Sequence, residues 1–180
     1  MQTTQTELLN KTIVKKGVIS ISRPNKVHIV YNEKPVKYYI SDGKKFWIYV
    51  PQDKQVMVYK KMSEFLSRQA LSFLAGIANL QKDYNVEVGY KNELGTEAGF
   101  ESQDLSTLEL IPLIPDESVD RIILCLYSKT FMIKEMTIFN SSGNKTRYLF
   151  SEVKFNKKLP DDLFVFKKPK GVKEIKGLTE

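Results

Sequence analysis

Apolar and polar residues alternate with period two through most of the chain, and the alternating runs are rich in β-branched and aromatic side chains. That is the signature of half-buried β-strands. In KVHIVY, Val27, Ile29 and Tyr31 share one face. VKYYI (36–40), FWIYV (46–50) and QVMVYK (55–60) follow, separated by Ser41-Asp42-Gly43-Lys44 and Pro51-Gln52-Asp53-Lys54. Such short, turn-forming connections predict antiparallel hairpins in a meander. The later half repeats the pattern in YNVEVGY, TLELI, RIILCLY, FMIKEMTIF and KTRYLFSEVKF, punctuated by Pro112, Pro115, Ser128-Lys129 and Ser141-Ser142-Gly143-Asn144.

One stretch changes period. In KMSEFLSRQALSFLAGI, Met62, Phe65, Leu66, Ala70, Phe73, Leu74 and Ile77 recur at spacings of three and four, which predicts an amphipathic helix near 63–75. Ser63 suits its N-cap and Gly76 its C-cap. Such a helix must lay its apolar stripe on a sheet face, as a plug or a lid. FWIYV and RIILCLY are apolar on both faces, so something must cover the second face as well. A curved sheet around a greasy pocket meets that need, and so does an ordinary filled core.

Length and composition narrow the classes. The chain has 180 residues, a natural size for one domain with its own core, and no repeat or composition shift marks a second. Apolar runs fall far short of the roughly 20 residues a membrane-spanning helix needs. The first residues, MQTTQTELLNKT, lack the pattern of a secretory signal. The net charge of +7 comes from lysines scattered in pairs among acids, as on a solvated surface, and only KKPKGVKEIK (167–176) concentrates it. Large apolar side chains are plentiful, with ten Phe, nine Tyr and one Trp.

The catalytic inventory is thin. Cys125, the single cysteine, sits in RIILCLY and reads as a buried thiol. His28 is the single histidine and, if Val27, Ile29 and Tyr31 point inward, points outward; without Cys partners it makes no ordinary zinc site. There is no G-x-S-x-G elbow and no Gly-rich phosphate loop. Asp161-Asp162 in LPDDLF reads as a turn or helix cap. Neither enzymatic activity nor a metal or other cofactor is expected.

The string GVISISRPNKVHIVY (17–31), followed by YYISDGKKFWIYVPQDKQVMVY (38–59), resembles the opening of the periplasmic outer-membrane lipoprotein carrier family, LolA. Later segments agree in order: ALSFLAG closing the helix, LELIP (108–112), FMIKEMTIFNSSGNKTRYLFSEVKFN (131–156) and LPDDLFVFKKPKGVKEI (159–175). The resemblance implies a mainly β fold, an incomplete, strongly curved antiparallel β-barrel covered by an α-helical lid over a hydrophobic cavity. It implies a carrier that takes the acyl chains of lipoproteins from an inner-membrane ABC exporter to an outer-membrane receptor across the periplasm. Arg23, in the Arg-Pro pair, matches the residue that latches the lid in the family, and its five donors suit free helix-end carbonyls. Pro24 marks an edge or bulge.

Alternation supplies the expected cavity lining: Val27, Ile29 and Tyr31, with either Phe46 and Ile48 or Trp47 and Tyr49 from the next aromatic strand. Trp47 and Tyr49 are chosen here. Phe65, Leu66, Ala70, Phe73 and Leu74 are expected from the helix. Family members carry a signal peptide and a helix ahead of the first strand, whereas here Met1 lies close to that strand, so an uncovered cavity mouth and self-association are expected. Two other readings differ in their observables. A lipid-sensing module in envelope-stress signalling would bring a second domain or a regulatory partner. A nucleic-acid-binding barrel would lose affinity steeply with salt, but no nucleic acid is expected as a partner.

Overall fold

The computed structural model describes residues 2–6, 11–23, 25–60, 80–88, 104–115, 117 and 119–177. The helix expected near 63–75 lies outside the described residues, with Phe65, Leu66, Ala70, Phe73 and Leu74. The chain divides into two compact units. One comprises Met1–Val14 and Asn79–Val153, the other Lys15–Ala78 and Lys154–Glu180.

The first unit is built on β1 (Gln2–Thr6), most of β2 (Lys11–Lys15), a one-turn helix α1 (Leu80–Asp83), β8 (Tyr84–Val88), β9 (Leu105–Pro112), β10 (Arg121–Tyr127), β11 (Ile133–Phe139) and β12 (Lys145–Leu149). Their sheet runs β2-β1-β12-β11-β10-β9-β8. The β10–β11 register sets Ile122 opposite Ile138 and Leu124 opposite Met136, and Ile122 also faces Leu110 of β9. These five side chains are buried and form an apolar layer on one sheet face. The alternate parity carries Glu109, Cys125, Glu135, Thr137 and Arg147. Glu135 is buried there because Arg147 meets it with two bonds, Nε to Oε1 at 2.6 Å and the terminal nitrogen to Oε2 at 2.7 Å. Thr137 donates a third bond to Oε1. A buried carboxylate is tolerated when so paired. Cys125 is buried as expected, and burial pushes its thiol pKa up.

The second unit contains β3 (Gly17–Ser22), β4 (Lys26–Tyr31), β5 (Lys37–Asp42), β6 (Phe46–Val50), β7 (Gln55–Tyr59), a 3-10 turn (Asp161–Phe164) and β13 (Lys173–Lys176). Its sheet runs β13-β7-β6-β5-β4-β3, antiparallel except that β13 lies parallel to β7. The β5–β6 turn follows from its sequence. Asp42 Oδ1 accepts from the backbone N–H of Lys44 and of Lys45, both at 2.7 Å, and Gly43 takes φ of 92°, which a residue without Cβ adopts freely. Ser41, buried, donates to the Asn25 carbonyl and accepts from the Gly43 N–H, so its hydroxyl is satisfied.

The mainly β, largely antiparallel character agrees with the expected class. Among the described residues neither sheet closes on itself, since β2 and β8 end one and β13 and β3 end the other. The described residues include neither a helical lid nor an open hydrophobic cavity.

Candidate functional site

The β4–β5–β6–β7 registers decide which side chains share a face. Val27 pairs with Ser41, Ser41 with Phe46, and Phe46 with Tyr59. One step along, Ile29 pairs with Tyr39, Tyr39 with Ile48, and Ile48 with Met57. Directly paired residues point the same way, so these two rows lie on one face. Val27, Phe46 and Ile48 form its buried centre, with Ile29, Tyr39, Met57 and Tyr59 packed against them. Aromatic rings tile the face. Tyr31 meets Tyr39 edge-on at 5.6 Å, Tyr39 lies 6.4 Å from Phe46, and Phe46 lies 6.0 Å from Tyr59. Such pairs add about 0.5–1.5 kcal/mol each beyond area burial.

Trp47 and Tyr49 do not join this face. Their parity is opposite, in a row with Ile40 and Tyr38. Among the described residues Phe166 covers them, 5.1 Å from Tyr49 and 6.3 Å from Trp47 between ring centroids. The C-terminal segment is thus the cover that the doubly apolar FWIYV requires. It is anchored by Phe164, which is fully buried, by the Lys26–Asp161 ion pair at 2.7 Å, and by β13 on β7. The Lys26 hydrogen bond and charge hold the Asp161 carboxyl below its usual pKa. Grouping Trp47 and Tyr49 with Val27, Ile29 and Tyr31 is therefore corrected: Phe46 and Ile48 take that place. Sequence reasoning also passed over Tyr39, Met57 and Tyr59. Their signal was available in the alternation of KYYISD and QVMVY once the face of FWIYV was known.

His28 lies on the Trp47 face, 6.3 Å from Tyr38, and burial lowers its pKa. Arg23 is exposed in the turn between β3 and β4, and Asn25 in that turn adopts φ of 59°. Pro24 lies outside the described residues, and β3 is the sheet's edge strand, as expected around it.

The centre of the tiled face is well sealed, and Ile29, Tyr31, Tyr39, Met57 and Tyr59 around it are half-buried. Val27, Phe46 and Ile48 keep only 2%, 1% and 3% of their surface exposed. It runs from aliphatic and aromatic side chains at the Val27–Phe46 row to Tyr31 and Lys37, which pair with each other at the far end. A surface of this kind can hold an extended apolar chain only if whatever covers it moves aside. Among the described residues it brings no nucleophile, acid and base into hydrogen-bond reach of one another.

Comparison with known proteins gives the arrangement a family. Residues 1–167 match the family model described as outer membrane lipoprotein carrier protein LolA. The chain is 30% identical over 175 residues to the outer-membrane lipoprotein carrier protein of Chromobacterium violaceum, covering 93% of this chain and 79% of that one. It is likewise 30% identical over 169 residues to the outer-membrane lipoprotein carrier protein of Nitrosomonas europaea, covering 93% and 76%. Among solved structures it is similar to the LolA superfamily protein NE2245 from Nitrosomonas europaea, at 14% identity and a TM-score of 0.45, covering 92% of this chain and 87% of that one. The chain belongs to the LolA family of outer membrane lipoprotein carrier proteins.

Proposed function

We propose that this protein carries lipoproteins by sheltering their acyl chains on the tiled face of its second unit, along Val27, Ile29, Tyr31, Tyr39, Phe46 and Ile48. The observation that carries the reading is the continuity of that face, where aromatic and aliphatic side chains from four neighbouring strands meet in register. The physical need is large. Each acyl CH2 left in water costs about 0.8 kcal/mol, so a long chain crosses an aqueous compartment only inside an apolar container.

Because the centre of the face is sealed, loading requires a second conformation in which it is uncovered, and acyl chains populate that state by binding it in preference to the closed one. The segment near 63–75, expected from the sequence to form a helix with Phe65, Leu66, Ala70, Phe73 and Leu74, is the proposed cover, and Arg23 its latch. Trp47 and Tyr49 are not part of the proposed acyl surface. By family analogy the compartment is the periplasm, the donor an inner-membrane ABC exporter and the acceptor an outer-membrane receptor. No covalent step is involved.

The test is native mass spectrometry of the protein mixed with a triacylated lipopeptide and with the same peptide lacking acyl chains. A 1:1 complex with the acylated peptide alone, insensitive to added salt, is the expected result. Equal binding of both peptides contradicts the reading. An Arg23→Leu variant is expected to retain the lipopeptide differently from the parent.

A further inference from the structure

Where the tiled face ends, Tyr31 and Tyr39 border a pocket of about 90 Å3 that Lys15, Glu33, Lys34 and Lys37 also line. By that measure a single water needs roughly 10–15 Å3, so the pocket has room for several waters or one small polar group. Its chemistry is mixed in an informative way. Three lysines against one glutamate make the walls net positive, which favours an anion. Glu33 Oε1, however, is buried and has no hydrogen-bond donor among the described residues. A buried carboxylate oxygen left so is costly, and an arriving N–H or ammonium group would satisfy it. Lys15 Nζ stands 5.5 Å over the Tyr31 ring, and none of the pocket's three lysines donates a hydrogen bond to that oxygen. Burial, and after it the Glu33 charge, pushes the Tyr39 hydroxyl pKa up, which keeps it neutral beside the site.

A ligand that answers both features carries a phosphate and an ammonium a few bonds apart. We propose that this pocket is a headgroup subsite for phosphoethanolamine, with the phosphate among Lys34 and Lys37 and the ammonium on Glu33 beside Tyr39. Geometry joins it to the apolar face. Tyr31 and Lys37 form one cross-strand pair, and Ile29 and Tyr39 the next. Same-face positions along a strand repeat about every 6.7 Å, so the Val27 row begins roughly 13 Å away. One surface can then hold the headgroup at its polar end and the acyl chains along its length, and a phospholipid becomes a ligand of the same protein. The position of the chains rests on the carrier reading above; the headgroup contact stands on the pocket alone.

The test titrates the protein with water-soluble sn-glycero-3-phosphoethanolamine, glycerol 3-phosphate, ethanolamine and inorganic phosphate, following the resonances of Tyr31, Tyr39 and Glu33 by NMR. The zwitterion is expected to saturate these shifts at about tenfold lower concentration than any of the other three. Glu33→Gln is expected to erase the advantage over glycerol 3-phosphate, and Lys34→Ala with Lys37→Ala the advantage over ethanolamine. Equal binding of glycerol 3-phosphate or inorganic phosphate, an unchanged preference in Glu33→Gln, or no saturation by the zwitterion overturns the proposal. Should Glu33→Gln fail to fold, the lysine double variant decides, since a zwitterion preference that survives it also overturns the proposal. Triacylated lipopeptide binding, measured on the same samples, reports on the carrier reading separately: its loss with headgroup binding intact removes that reading and leaves the subsite.

Discussion

Replacing Arg147 by Met tests whether the polar face of the first unit depends on one buried ion pair. Glu135 keeps 5% of its side-chain surface exposed and Arg147 keeps 32%, so the two partners are unequally dependent on each other. Without the guanidinium, Glu135 keeps the 3.3 Å bond from Thr137 and becomes a buried, nearly unneutralised carboxylate. Loss of one partner of a buried pair costs about 3–5 kcal/mol. Water reaches Arg147, which places the expected loss near the lower end, about 3 kcal/mol. Glu135→Met leaves a cation that water can solvate, and should cost less, about 1–2 kcal/mol. The double variant, with two apolar side chains of similar length, is expected within about 1 kcal/mol of the parent. Urea unfolding followed by circular dichroism at pH 7 supplies all four corners of the cycle. Additive single effects, or an Arg147→Met variant within about 0.5 kcal/mol of the parent, would refute the argument.

Three further perturbations probe the second unit. Gly17→Ala would drive a methyl group into the Val30 carbonyl oxygen of the neighbouring strand, and the expected loss of about 1–3 kcal/mol is read from thermal melting; an unchanged melting temperature contradicts the close approach. Phe166→Ala should uncover the protein's single tryptophan, Trp47, red-shifting its emission and raising its quenching by acrylamide, whereas an unaltered spectrum would place the cover elsewhere. Because burial lowers the His28 pKa, the neutral ring is favoured in the folded state. Stability should therefore fall as the pH drops below about 6.5, and His28→Asn should flatten that slope in melting curves between pH 8 and 5.5.

The strands were legible from their β-branched and aromatic runs between turn residues: 26–31, 46–50 and 121–127 come out with the bounds those runs suggest. The turn at Asp42-Gly43 was legible for the same local reason, since its hydrogen bonds are made by its own residues. What local pattern could not supply was the face of FWIYV. Both parities of that strand are apolar, and the deciding side chain, Phe166, is far along the chain, just ahead of the lysine-rich 167–176. The Glu135–Arg147 pair was hidden for a similar reason, because it depends on the β11–β12 register, which sets Arg147 against Thr137 and Glu135 against Leu149. The Glu33 pocket sits in what reads as a polar loop, NEKP, and only the strand pairing brings Lys15 and Tyr39 to it.

The most direct test of the carrier account is photo-crosslinking with a lipopeptide that bears a diazirine within one acyl chain, followed by peptide mapping. The account predicts adducts on Ile29, Tyr39, Ile48 or Met57, competed away by unlabelled triacylated lipopeptide and absent from Trp47, Tyr49 and Phe166. Adducts concentrated on Trp47, Tyr49 and Phe166, with the Ile29 to Met57 row unlabelled, would contradict it and move the acyl surface to the opposite face of the sheet.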